Sequence, residues 1–405
     1  MSFAQDYLQS DATNQGIDVP HLLHLIFQDA IQAGSSDIHI EPWESSIAVR
    51  LRINGVLKEL IHIPLECMDK ISGRCKVLGE MVTYQNGLPQ EGHASGGPEL
   101  GNVELRISVF PTTRGEKIVI RLFDPRNRSF DINGLGFDAT TQEKFLQLLS
   151  RTSGLLLLTG PTGSGKTTAI YSALQHLVNC HGSTLSISTV EDPVEYNLPI
   201  IAQTQINPAQ EFTYARALRS LMRQDPQVIM VGEIRDAETA AIAVQAGLTG
   251  HLVISTIHSG TPAGVFARLI NMEIEPFLLA SSIIGVMGIR LIRLNCKHCA
   301  LPCDVEPAHL QIIPPEYVAS ANFMRSPGCE NCQFTGFGSR TSLSELLVAD
   351  EAIREAVIQK TPTRTLTKIA IDAGMTTMWQ KGIKRVLLGD TTFDEVIRVV
   401  AAEQI

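Results

Sequence analysis

The most constraining feature of this chain is a short apolar run that breaks into glycine. Leu155, Leu156, Leu157 and Leu158 lead through Thr159 into Gly160, Pro161, Thr162, Gly163, Ser164, Gly165, Lys166, Thr167 and Thr168, with a helix-compatible segment after them. This is G-x-x-x-x-G-K-[ST] in the strand-loop-helix setting that the pattern requires. The glycines let successive backbone N–H groups turn inward around phosphate, and the start of the helix adds the positive end of its dipole. Lys166 is then placed to reach β and γ phosphates and the Thr167 hydroxyl to bind Mg²⁺, so the loop reads as a site for ATP with magnesium. Further apolar runs at 185–190, 228–231 and 252–255 alternate with helical patterns. That rhythm predicts a mostly parallel sheet covered by helices, an α/β architecture.

Each of those three runs ends in a polar element. Glu191, Asp192 and Glu195 follow the first, Glu233, Arg235 and Asp236 the second, and His258 the third. In open α/β sheets ligands bind at the carboxyl ends of strands, so residues far apart in sequence are expected to converge there. Glu233 stands where an acid would hold Mg²⁺ through water or polarise the attacking water. Glu191 is the preferred candidate to position that water, ahead of Asp192 and Glu195. His258 is expected to sense the γ phosphate, whereas His251, at the start of its strand, reads equally well as a structural histidine.

At 405 residues the chain is long enough for two or three domains. Residues 1–18 are polar and read as a flexible tail. Residues 19–123 read as a small α+β domain with a helix from Pro20, a hairpin at Asn54-Gly55, a second helix after Pro64 and a glycine-rich loop from Gly87 to Gly101. In it Arg50 and Arg52 share a polar strand face, as do Glu104, Arg106 and Ser108. Residues 124–136 have linker chemistry, and 137–405 form the larger domain. Pro276 to Ile289 reads as a buried or partly amphipathic helix too short to cross a bilayer. With no export signal at the amino terminus, the chain is expected in the cytoplasm. A net charge of −9 argues against a general nucleic-acid binder.

Four of the eight cysteines form two C-x-x-C pairs, Cys296 with Cys299 and Cys329 with Cys332, separated by 29 residues. That is the spacing of a closed tetrathiolate zinc site, which would staple the segment 295–340. A redox pair is the lesser alternative.

Taken together these motifs resemble the type II secretion and type IV pilus assembly ATPase family. The residues that carry the resemblance are Ser36 to Pro42, the phosphate loop, Glu191 to Tyr196, Leu218 to Pro226, Val228 to Asp236, and Thr249 through His258 to Leu269. Gln227 and Ser259-Gly260 depart from the family pattern. The resemblance implies a PAS-like amino-terminal domain joined to a RecA-like ATPase domain in a hexameric ring. By the same resemblance Arg106 and Arg121 reach the nucleotide from outside the ATPase domain's own strands. The cysteine insert is typical of assembly or secretion motors, so a retraction motor is the alternative within the class. A nucleotide-gated scaffold with little hydrolysis is the alternative outside it. The partners implied are further copies of the chain and an inner-membrane platform protein, with no specific nucleic acid and no direct membrane insertion. Location would be cytoplasmic, at the inner membrane through partners.

Overall fold

The computed structural model describes residues 2–10, 16–123, 130–311, 313, 315–318 and 321–400. The chain divides into two compact units, Met1–Arg128 and Ser129–Ile405. In the first unit, helices α1 (Phe3–Gln9) and α2 (Val19–Gln32) precede strands β1 (Asp37–Pro42), β2 (Ile47–Ile53) and β3 (Val56–Ile63). Helix α3 (Met68–Leu78) and strands β4 (Gln90–Ser95), β5 (Glu104–Thr112) and β6 (Gly115–Phe123) follow. The strands form one antiparallel sheet in the order β3-β2-β1-β6-β5-β4. Helix α2 starts where the Asp18 carboxylate accepts from the His21 N–H, and it buries Leu22, Leu23, Ile26, Phe27 and Ala30 as one stripe. Alternation in the strands does the rest: Ile38, Ile40, Val49, Ile107 and Ile120 enter the core, while charged residues take the other face. Asn54 and Gly55 both have positive φ, the two-residue hairpin turn that this dipeptide favours.

The second unit runs α4 (Ala139–Leu149), β7 (Gly154–Thr159), α5 (Lys166–His181), β8 (Ile187–Glu191), β9 (Ala202–Gln205), α6 (Tyr214–Leu221), β10 (Val228–Ile234) and α7 (Ala237–Leu248). It continues through β11 (Leu252–Ile257), α8 (Pro262–Asn271), α9 (Pro276–Ser282) and β12 (Ile283–Asn295). The short pieces β13 (Leu301–Pro302), α10 (Pro307–Leu310), α11 (Pro315–Val318) and β14 (Met324–Arg325) precede β15 (Phe337–Val348). Helices α12 (Glu351–Ile358), α13 (Thr363–Asp372), α14 (Met378–Leu387) and α15 (Phe393–Val400) complete it. The main sheet has the order β15-β12-β7-β11-β10-β8-β9, parallel except for β15. Both faces are covered, which is why its strands are unbroken apolar runs. Leu156 and Leu158 pack towards α4 and α5, while Leu155 and Leu157 pack towards the layer containing α6, α7, α8, α9, α12 and α13.

Several expectations are corrected. Phe3–Gln9, read as part of a flexible tail, is a helix whose first N–H groups, on Phe3 and Ala4, donate to the Asp29 carboxylate at 2.8 and 2.9 Å. Within the Gly87 to Gly101 segment, Gln90–Ser95 pairs with β5 as a strand, because edge pairing needs little apolar content. Of the linker 124–136, residues 124–129 lie outside the described residues. Ile132 is buried in the core of the second unit, and the Leu135 carbonyl accepts from the Ser342 hydroxyl. The helix expected from Pro276 to Ile289 ends at Ser282. Beyond it the β-branched Ile283, Ile284 and Val286 favour strand despite two glycines, and a Cβ on Gly285 would lie 2.6 Å from Leu148 Cδ1, a close approach that only glycine allows. No helix among the described residues is long and apolar enough to cross a membrane.

Candidate nucleotide site and cysteine cluster

The register of the parallel strands brings the predicted residues to one edge. Thr159 pairs with Ile257, Ile257 with Ile234, and Val231 with Val190, so the residues that follow β7, β11 and β8 share the carboxyl edge with the end of β10. Between Val231 and Ile234 strand β10 carries one residue more than β11, a bulge that contains Glu233. Bulges re-aim side chains next to functional sites, and this one is held from the neighbouring strand. The Ser255 hydroxyl donates to the Val231 carbonyl at 2.8 Å and the Thr256 hydroxyl to the Gly232 carbonyl at 2.8 Å. On the other side, Thr159 Oγ1 donates to the Ser259 carbonyl at 2.8 Å and accepts from the Ser259 N–H at 3.0 Å. The segment carrying His258 is thereby tied to the base of the phosphate loop.

Gly160, Gly163 and Gly165 all have positive φ, and Gly165 caps α5, a helix of 16 residues. Lys166 curls back so that Nζ donates to the Gly160 and Pro161 carbonyls at 2.8 and 2.9 Å. Burial lowers its pKa, and the Glu233 carboxylate opposes that shift. Glu233 itself pairs with Arg235, and its other oxygen lies 3.6 Å from His258 Nε2. The hydrogen bond from Arg235 holds the Glu233 carboxyl below the ordinary range. Ser164 Oγ is buried with no hydrogen-bond partner. A looped helix start, a half-buried cation and an orphaned hydroxyl fit a polyphosphate, and Thr167 with the ionised Glu233 fits magnesium as hard oxygen ligands.

Glu191 is placed differently. Its carboxylate is buried, 3% exposed, and accepts from the Tyr171 and Thr189 hydroxyls and from Gln203 Nε2 at 3.1 Å. Burial and the Glu191 charge together push the Tyr171 phenol up. Glu233 is therefore the carboxylate whose charge Lys166 feels, and Glu191 is anchored among neighbours from α5, β8 and β9. Asp192 lies 4.0 Å from Arg235. His251 sits at the opposite end of β11 with Nδ1 3.1 Å from the Ala246 carbonyl, a structural histidine. Sequence reasoning placed Arg235 at the strand end without giving it a role and passed over Tyr171 and Gln203, which carry no local signal.

Arg106 and Arg121 belong to the first unit, directly opposite one another on β5 and β6. Arg121 Nε donates to Asp37 at 3.0 Å, while Arg106 lies 5.2 Å over the Phe123 ring with its Nε buried and unpartnered among the described residues. Like charges opposed across a strand pair are destabilising unless an anion joins them. Arg50 and Arg52 pair with Glu41 and Asp37 on the same face.

Cys296, Cys299, Cys329 and Cys332 place their sulfurs within 4.8 Å of one another. The Cys296–Cys329, Cys299–Cys332 and Cys329–Cys332 separations are each 3.9 Å, too long for disulfides. A tetrahedron with metal–sulfur bonds of about 2.3 Å has edges of about 3.8 Å, so the four thiols fit Zn²⁺. Cys303 lies apart from this cluster, its N–H donating to the Phe323 carbonyl.

The family described as Type II/IV secretion system protein matches residues 12–398. The type II secretion system ATPase E of Vibrio cholerae serotype O1 is 38% identical over 398 residues, covering 98% of this chain and 77% of the relative. The type IV pilus assembly ATPase PilB of Myxococcus xanthus is 39% identical over 393 residues, covering 95% and 68%. A crystal structure of the pilus retraction motor PilT with bound ADP aligns over 93% of this chain and 96% of that one, at 25% identity and a TM-score of 0.62.

Proposed function

The chain belongs to the type II/IV secretion system protein family, and from that premise we propose that it is an ATP-hydrolysing motor powering type IV pilus assembly or type II protein secretion. The observation that carries this reading is the β10 bulge, which sets Glu233 beside His258 and in electrostatic reach of Lys166 at a glycine loop. In this reading the loop amides from Gly160 to Thr168 hold the phosphates. Lys166 exchanges two backbone carbonyls for β and γ phosphate oxygens. Thr167 and Glu233 would hold Mg²⁺, which when bound draws off charge from those oxygens. Water, oriented by Glu233 with Glu191 as the second candidate, attacks the γ phosphorus in line while the bond to the bridging oxygen breaks and ADP leaves with the electron pair. His258 answers the loss of the γ phosphate.

The second unit is then the RecA-like motor and the first the PAS-like domain, six copies forming a ring. Arg106 and Arg121 stabilise charge that grows on the γ phosphate, supported by their opposed placement and by an Arg106 Nε with no hydrogen-bond partner among the described residues. Hydrolysis would move the units and so drive an inner-membrane platform protein, with the motor held in the cytoplasm at that membrane by its partners. Zn²⁺ on the four cysteines closes a structural site that contributes folding energy. The cysteine cluster and the 39% identity to an assembly ATPase support assembly or secretion as the direction of work. Glu233→Gln tests the reading: it is expected to lower phosphate release about 100-fold or more while nucleotide still binds. Turnover near that of the native chain would refute the assignment.

A further inference from the structure

Arg235 occupies a position between two acids on adjacent strand tips. Its Nη2 pairs with Glu233, and its Nη1 lies 4.0 Å from Asp192 Oδ2, just beyond the end of β8. The side chain is 59% exposed and its two nitrogens face different carboxylates. A guanidinium suits this because its donors are spread over a rigid plane, whereas an ammonium is a single point charge. Arg235 and Asp192 both reach solvent, so moving the guanidinium towards Asp192 buries no charge. Glu233, however, has other work to do. The carboxylate assigned to magnesium and water is covered here by the arginine two residues away.

Resting on that reading of Glu233, we propose that Arg235 is a positioning residue that holds Glu233 while the phosphate loop lacks nucleotide and transfers to Asp192 when magnesium and ATP enter. A bound divalent cation would supply countercharge to Glu233, and Arg235 has a second carboxylate, Asp192, already in place. Asp192 thereby lowers the cost of release. It also makes the segment after β8 respond to what occupies the loop after β7, although two strands separate them in the sheet.

The test uses the full chain with Asp192→Asn, Arg235→Gln and the double substitution, reading phosphate release and the Mg²⁺ dependence of binding a fluorescent ATP analogue. Both positions are exposed enough that folding is not at stake, and thermal unfolding checks this. Asp192→Asn is expected to lower kcat about tenfold and to raise the Mg²⁺ concentration at half-saturation. Arg235→Gln is expected to lower that concentration about tenfold. In the Arg235→Gln background Asp192→Asn should add nothing, because no guanidinium remains to be transferred. Additive effects in the double variant, or a Mg²⁺ dependence unmoved by Arg235→Gln, overturn the exchange. If Glu233→Gln is inactive while these effects add, only the exchange fails; if Glu233→Gln turns over normally, the site reading beneath it fails as well.

Discussion

The position of Glu233 depends on a side chain that is missing. A Cβ at Gly232 would lie 2.6 Å from the hydroxyl of Tyr214, a residue 8% exposed in α6, so only glycine passes beneath that ring without a shift. Gly232→Ala is expected to lower stability by about 1–3 kcal/mol and to reduce kcat at least about tenfold by displacing the bulge. Tyr214→Phe removes the offending oxygen and should recover much of both losses, measured by thermal unfolding and phosphate release. A double variant no better than Gly232→Ala would show that this contact is not the cause. Glu233 was legible in the sequence as the acid ending an apolar run. The bulge was not, because it exists only in the pairing of β10 with β11. The donors around Glu191 were hidden for a similar reason: Tyr171, Thr189 and Gln203 come from three elements that no local pattern links.

Among the elements, β12 was the least legible and does the most joining. Its two glycines weaken any strand signal, yet it pairs in parallel with β7 and in antiparallel fashion with β15. At its far end Arg293 pairs with Glu395 of α15 at 2.6 Å, and Arg398 takes the other oxygen at 2.6 Å. Burial alone would push the Glu395 carboxyl up, but hydrogen bonds from Arg398 and Arg293 hold it down to about 2. A carboxyl whose pKa is lower folded than unfolded stabilises the protein above its unfolded value, and that contribution disappears as pH falls through the folded value. Here the window runs from about pH 4.3 down to about pH 2, and the contribution at neutral pH is about 3 kcal/mol. Glu395→Gln should therefore destabilise the chain by that order at pH 7 and by progressively less below pH 4, followed by urea unfolding. An equal loss at both pH values would contradict the ion pairing. The cysteine cluster, by contrast, was readable from spacing alone, since four identical ligand types in two C-x-x-C pairs leave few other uses.

For the whole molecule, the division into two units lies close to where turn-rich chemistry interrupts the apolar periodicity, although Ile132 and Phe130 show that apolar residues near such a break can join a core. The two arginines of the first unit extend the account beyond the sheet edge. Arg106→Ala is expected to lower kcat by about tenfold to a thousandfold while sparing nucleotide affinity, and unchanged turnover would remove the arginines from the mechanism. Everything else depends on the loop after β7 holding a triphosphate. The measurement that tests this most directly is magnesium-dependent phosphate release from ATP by the full chain beside its Lys166→Ala variant, with circular dichroism showing both folded. The expected result is steady turnover by the native chain and a loss of about 100-fold or more in the variant; turnover in the variant within about twofold of the native chain would contradict the account.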